Sequence, residues 1–114
     1  VEHRFATLIK NEMRFNMYRL WGKIMIDSRF RSDYVFELED GDIASPSSLK
    51  KGLEFLTLHF DIEMPMWLSD NEKDYARFRK TRFYNDHFIE TIDFDYFEIE
   101  VIEDKKKKHK KSDL

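Results

Sequence analysis

Cysteine is absent from the 114 residues. Its absence excludes disulfides, thiolate nucleophiles and zinc–thiolate sites, and it fits a reducing compartment. Glycine and proline are scarce, at three and two residues. Three isolated glycines cannot build a Gly-x-Gly-x-x-Gly or Walker phosphate loop, so nucleotide-dependent catalysis of the common kinds has no basis here. The same scarcity argues against a loop-rich or disordered chain. No serine sits in a Gly-x-Ser-x-Gly elbow. No apolar run approaches the roughly 20 residues of a membrane helix, and the opening segment lacks the apolar core of a signal peptide. The expectation is a cytoplasmic chain without membrane association.

Aromatic residues are abundant. Eleven Phe, five Tyr and two Trp make up 16% of the chain, and each ring buries roughly 150–250 Å². That supply suits the one modest core expected of a single domain this size. Charged residues reach 38%, mixed in sign. The net charge of −3 is unevenly spread: the last ten residues hold six Lys and one Asp, so the other 104 carry −8. An acidic body repels nucleic acid, while a basic tail or local patch attracts it.

Two stretches alternate with a period of two. In 17–27, Tyr18, Leu20, Gly22, Ile24 and Ile26 share one face, and Arg19, Trp21, Lys23 and Met25 the other. In 33–40, Tyr34, Phe36 and Leu38 share a face. These predict an antiparallel hairpin, with Gly22 marking a bulge or the close approach of another element. Ser45 before Pro46 is a helix-start signal, and Leu49, Leu53, Leu56 and Phe60 form the apolar stripe of a helix that ends near Asp61. Residues 65–69 suggest a short strand. Ser69 and Glu72 match a capping box for a second helix running to about Lys80, with Tyr75 and Phe78 inward. Residues 81–93 fit either a turn with a short helix or an irregular strand. A final strand follows, with Phe97, Ile99 and Val101 opposite Glu98 and Glu100.

The predicted fold is therefore α+β: a small antiparallel sheet of three to five strands, one main helix on one face and a second short helix. The expected order is strand, strand, helix, short strand, short helix, strand. Residues 1–13 read as an N-terminal extension with a marginal helix, 14–104 as a single α+β domain, and 105–114 as a disordered Lys-rich tail.

The runs "YRLWGKI", "PMWL", "KTRFYNDHFIE" and "IDFDYFEIEVIE", in that order and spacing, resemble a family of small bacterial proteins to which no activity is attached. The resemblance covers about residues 17 to 104. It implies a unit beginning near Met13 or Met17, with the first segment and the Lys tail as appendages. It implies no ligand and no catalytic residue.

Residue patterns supply few sites. Glu98 and Glu100 on one strand face are a carboxylate pair in principle, but a solvated face opposite an apolar one explains them more simply. His59, Asp61 and Glu63 alternate, yet His59 lies at a helix end where alternation does not gather ligands. Asp86 and His87 are neighbours, which does not by itself make a hydrogen-bonded dyad. No catalytic residue, metal site or cofactor follows. "ARFRKTRFYNDHF" (76–88) is the densest mixture of cations and rings. Arg77, Arg79, Lys80, Arg82 and Tyr84 are the candidate contacts for phosphate or nucleic acid, since cations neutralise phosphates and exposed rings stack on bases. Neither a helix nor a strand brings all of them to one side, so rings inward and cations outward is the simpler arrangement. Trp21 with Arg19 is the candidate protein contact, because exposed Trp and Arg dominate binding hot spots. The function expected is a non-catalytic protein-interaction module with a protein partner or self-association at open sheet edges. The alternative is an accessory RNA- or DNA-binding protein using residues 77–84 and the Lys tail.

Overall fold

The computed structural model describes residues 17–103. The expected extension at 1–13 and the Lys-rich tail at 105–114 lie outside the described residues. Four antiparallel strands form one sheet in the order β2-β1-β4-β3. In chain order the elements are β1 (Tyr18–Ile26), β2 (Arg29–Leu38), α1 (Pro46–Phe60), α2 (Ser69–Phe78), β3 (Lys80–Phe83), a 3-10 turn (Asn85–His87) and β4 (Tyr96–Val101). No helix among the described residues is long and apolar enough to cross a membrane.

The hairpin forms as the alternation predicts. Its two-residue turn is Asp27-Ser28, both with positive φ (51° and 64°), the backbone handedness that matches twisted strands. Asp27 donates its N–H to Asp95 Oδ2 at 2.8 Å, tying the turn to the approach of β4. The strand irregularity falls between Ile24 and Met25, where Arg31 of β2 is the extra residue, and not at Gly22. Gly22 instead admits α1: a Cβ there would lie 2.9 Å from Leu56 Cδ1 and 3.1 Å from Phe60 Cε2. Gly52 of α1 does the same in reverse, lying against Leu20 and Phe36. Missing side chains on both surfaces let the helix settle close to the sheet.

Helix α1 begins as its sequence signals. Ser45 Oγ accepts the Ser47 N–H at 3.2 Å, Pro46 occupies the first turn, and Asp61 closes the helix in the left-handed conformation. Leu53 and Leu56 face Leu20, Ile24, Phe97 and Ile99 in the core, with Leu49 and Phe60 packed at its margin.

The second helix starts differently from the predicted box. Leu68, which has no side-chain acceptor, sits at the cap position, and Ser69 is already helical. Asn71 supplies the missing acceptor, taking the Leu68 N–H on Oδ1 at 2.8 Å. Its amide nitrogen donates to Thr81 Oγ1 at 2.8 Å and to the Arg82 carbonyl at 3.0 Å. One fully buried side chain thus joins the start of α2 to β3. The helix ends at Phe78 because Arg79 turns left-handed (φ 55°). Tyr75 points inward and shares a buried 2.9 Å hydrogen bond with Tyr18, whereas Phe78, expected inside, is 60% exposed. Residues 65–68 form no strand; the short strand is β3, after α2 rather than before it. The chain order is therefore two strands, two helices, two strands. β3 is made by part of the segment that read as ambiguous, and its Thr81 and Phe83 complete the core face beside Ile99 and Phe97.

Candidate surface on the open face of the sheet

Both helices' core residues, Leu53, Leu56 and Tyr75, lie on the side of the sheet that carries Tyr18, Leu20, Ile24, Phe83, Phe97 and Ile99. The strand pairing then dictates the other side. Across β2, β1, β4 and β3, one row reads Val35, Trp21, Glu100, Lys80, and the next Asp33, Lys23, Glu98, Arg82. A third row carries Phe30, Met25 and Tyr96, with Tyr84 beside Tyr96 at a ring separation of 5.5 Å. Arg19 pairs with Glu37 at the far end, 3.2 Å apart. No helix among the described residues lies over these rows.

The central row is an ion network. Lys23 Nζ stands 3.0 Å from Glu98 Oε2 and 2.6 Å from Glu100 Oε1. Arg82 Nε donates to the other oxygen of Glu98 at 2.9 Å. Lys23 and Glu98 are only 7% and 5% exposed, although they lie on the face away from the helices. Rings do the covering. Lys23 Nζ is 3.9 Å from the Trp21 ring centroid, and the Arg82 guanidinium is 4.4 Å from that of Tyr96. Trp21 is held in turn by its indole N–H, which donates to Asp33 at 2.8 Å, and by the edge of Phe30. Burial by itself would push the Lys23 ammonium down, but its hydrogen bonds to Glu100 and Glu98 outweigh that and hold it above the ordinary lysine range. Arg82 is likewise held up, through Tyr84 and Glu98.

Glu98 is thus not the solvated residue that its strand pattern suggested. Alternation assigns a face, but cross-strand partners assign burial, and register is not written in β4 alone. Glu98 and Glu100 do lie on one face, with the Lys23 ammonium between them where a metal ion would have to sit. Both oxygens of Glu98 and one of Glu100 are occupied by cations of the chain itself.

The sequence candidates separate. Lys80, Arg82 and Tyr84 share the open face with Trp21 and Arg19, so the two sets that read as unrelated partly converge. Arg77 and Arg79 do not join them. Arg77 is exposed at the end of α2 over Phe78, and Arg79 caps that helix with its guanidinium 5.6 Å from the Tyr75 ring. Phe83 is wholly buried, while Tyr84 is 43% exposed and receives a 3.4 Å hydrogen bond from Arg82. Met25, Phe30 and Tyr96 complete the surface and were not singled out. The alternation in β1 and β4 placed Met25 and Tyr96 there, but Phe30 reaches this face only because the bulge at Arg31 reverses the side to which it points.

The remaining polar clusters disperse. His59 lies against Tyr34, ring centroids 4.1 Å apart, Asp61 is a helix cap, and Glu63 accepts the N–H groups of Ile89 and Glu90. No group of three metal-ligating side chains occurs among the described residues. His87 is buried, and its Nδ1 accepts the Tyr84 N–H at 3.0 Å. Nδ1 also lies 3.1 Å from Asp86 Oδ1, and Nε2, 3.7 Å from Asp70, has no hydrogen-bond partner among the described residues.

Compared with models of protein families, with curated proteins and with solved structures, the chain matches none.

Proposed function

We propose that this chain is a non-catalytic protein-interaction module of the cytoplasm, and that its contact surface is the open face of the sheet. The observation that carries the reading is charge compensation. Four cations on the face, Arg19, Lys23, Lys80 and Arg82, stand among four carboxylates, Asp33, Glu37, Glu98 and Glu100. The face is neutral as a whole, and Arg19, Lys23 and Arg82 are already hydrogen-bonded to its carboxylates. A phosphate backbone gains affinity chiefly by displacing counterions onto free cations. A protein partner instead gains by covering Trp, Tyr, Phe, Met and the flat face of Arg, with polar groups prepaid by the ion network. Trp21, Met25, Phe30, Tyr84, Tyr96 and Arg82 supply that composition, and Trp21, Tyr84, Tyr96 and Arg82 are already held by hydrogen bonds and ring contacts.

Photo-crosslinking tests the assignment. Benzoylphenylalanine in place of Trp21 or Tyr84 is expected to give discrete protein adducts in a lysate of the source cells. The same probe in place of Lys50, exposed on α1, is the control. Equal adduct patterns at all three positions would overturn the reading.

One observation favours the nucleic-acid alternative. Tyr84 is an exposed ring hydrogen-bonded by Arg82, and Tyr96 lies beside both. Binding of a labelled single-stranded RNA, followed by anisotropy against salt concentration, separates the readings. Loss of affinity in Arg82→Ala together with a steep salt slope would transfer the face to nucleic acid.

A further inference from the structure

Among the described residues, strand β2 lies at an outer edge of the sheet, runs for ten residues and is exposed over most of them. The opposite edge is β3, only four residues long. A long unpaired edge presents a row of backbone donors and acceptors to any extended strand. We propose that β2 pairs antiparallel with β2 of a second copy of this chain, about a two-fold axis through Tyr34, joining two sheets into one. The inference is independent of the open-face reading.

Charge along the strand argues for the second copy and for its direction. The start of β2 is basic, with Arg29 and Arg31, and its end together with the turn that follows is acidic, with Glu37, Glu39 and Asp40. An antiparallel pair lays each basic end beside the partner's acidic end, whereas a parallel pair lays like on like. The regular stretch after the bulge selects the register. A two-fold axis at Asp33 sets two carboxylates face to face. One at Val35 sets Asp33 opposite Glu37 twice. One at Tyr34 sets Tyr34 opposite its own mate, Asp33 opposite Val35 and Ser32 opposite Phe36, with no like-charge pair. Directly opposed like charges are destabilising, so Tyr34 is the favoured axis.

The flank of the edge supports the same axis. On the helix side of β2, Tyr34 stacks on His59 and on Phe55 of α1, with ring centroids 4.1 Å and 5.7 Å away. Tyr34 and Phe55 are each about two-fifths exposed, and Leu58 on the same helix is 81% exposed. A two-fold axis through Tyr34 sets this aromatic group beside its counterpart, so backbone pairing and apolar burial occur together. Interfaces of this isologous kind need one surface complementary to itself.

Because the chain has no cysteine, a single introduced thiol reports the register directly. Tyr34→Cys is expected to give a disulfide dimer under mild oxidation, since only a residue on the axis meets its own copy at bonding distance. Ser32→Cys and Phe36→Cys alone are expected to remain monomeric, and the two mixed together to cross-link. Sedimentation equilibrium of the unmodified chain is expected to show a dimer. Arg29→Glu is expected to weaken it about tenfold, through two symmetry-related ends. Adding Glu39→Arg is expected to restore it, which a folding defect would not allow. Arg29 and Glu39 have no ion-pair partner among the described residues, whereas Arg31 is held by Asp93 and Glu37 by Arg19. A monomer at all concentrations, or a cross-link at position 33 or 35 in place of 34, would overturn the proposal.

Discussion

Replacing Glu98 by Gln tests whether the central row of the open face is a structural ion network. The change keeps volume and one acceptor oxygen but removes the charge that faces Lys23 at 3.0 Å and Arg82 at 2.9 Å. The side chains of Glu98 and Lys23 are both less than a tenth exposed. Stranding one charge of a buried pair costs about 3–5 kcal/mol. Two features lower that figure here. Lys23 keeps Glu100 at 2.6 Å, so its ammonium is not left alone. The Arg82 side chain is 45% exposed, and solvent screening limits the share of such a partner to about 1 kcal/mol or less. The expected loss is about 2 kcal/mol, between the surface and buried limits. Urea denaturation followed by tryptophan fluorescence measures it as a lower midpoint at unchanged slope. Lys23→Met in a double-mutant cycle isolates the pair, with a coupling of about 1 kcal/mol expected. A loss under about 0.5 kcal/mol without coupling, the ordinary range of surface substitutions, would refute the reasoning. It would also remove the prepaid polar network from the argument for a protein partner.

Asn71→Leu should cost about 2–4 kcal/mol, because it leaves the buried Thr81 hydroxyl and Arg82 carbonyl without their donor and uncaps α2; an unchanged thermal midpoint would contradict this. Gly22→Ala should cost about 1–2 kcal/mol, since the new methyl meets Leu56 and Phe60 inside an already filled contact; a gain in stability would mean that α1 can retreat freely. Stability should fall as pH rises above about 10. Burial raises the Tyr18 and Tyr75 hydroxyls, and carboxylate hydrogen bonds raise Lys23 against its burial. The folded state then holds protons that the unfolded chain releases, so this contribution is complete below pH 10 and lost above it. Thermal midpoints measured from pH 7 to 11 test the sign, and a flat profile would contradict it.

Elements whose signal is local were legible in the sequence. β1 and β4 alternate cleanly because one face of each is apolar, and α1 carries its own cap, proline and stripe. Asn71 was hidden, because its partners are a backbone carbonyl and a hydroxyl that only the docking of α2 on β3 brings near. Phe78 misled because its helical spacing from Tyr75 suggests the packed side, yet it is the last residue of the helix and is 60% exposed. Of the candidate surface, Trp21, Arg19, Arg82, Lys80 and Tyr84 could be named from composition and pattern. That they share a face, and that Arg77 and Arg79 do not, depends on where α2 stops and β3 begins.

The residues alone determined the α+β character, the hairpin and the main helix, and they hold neither cysteine nor a glycine-rich phosphate-loop motif, since each follows from residue type or short-range period. Tertiary structure alone decided the strand order, the exposed β2 edge and the pairing of Lys23 with Glu98 and Glu100, which lie 75 and 77 residues away in sequence. The physical reason is range. Backbone sterics and amphipathic period act over a few residues, whereas charge compensation and burial depend on which distant strand lies alongside.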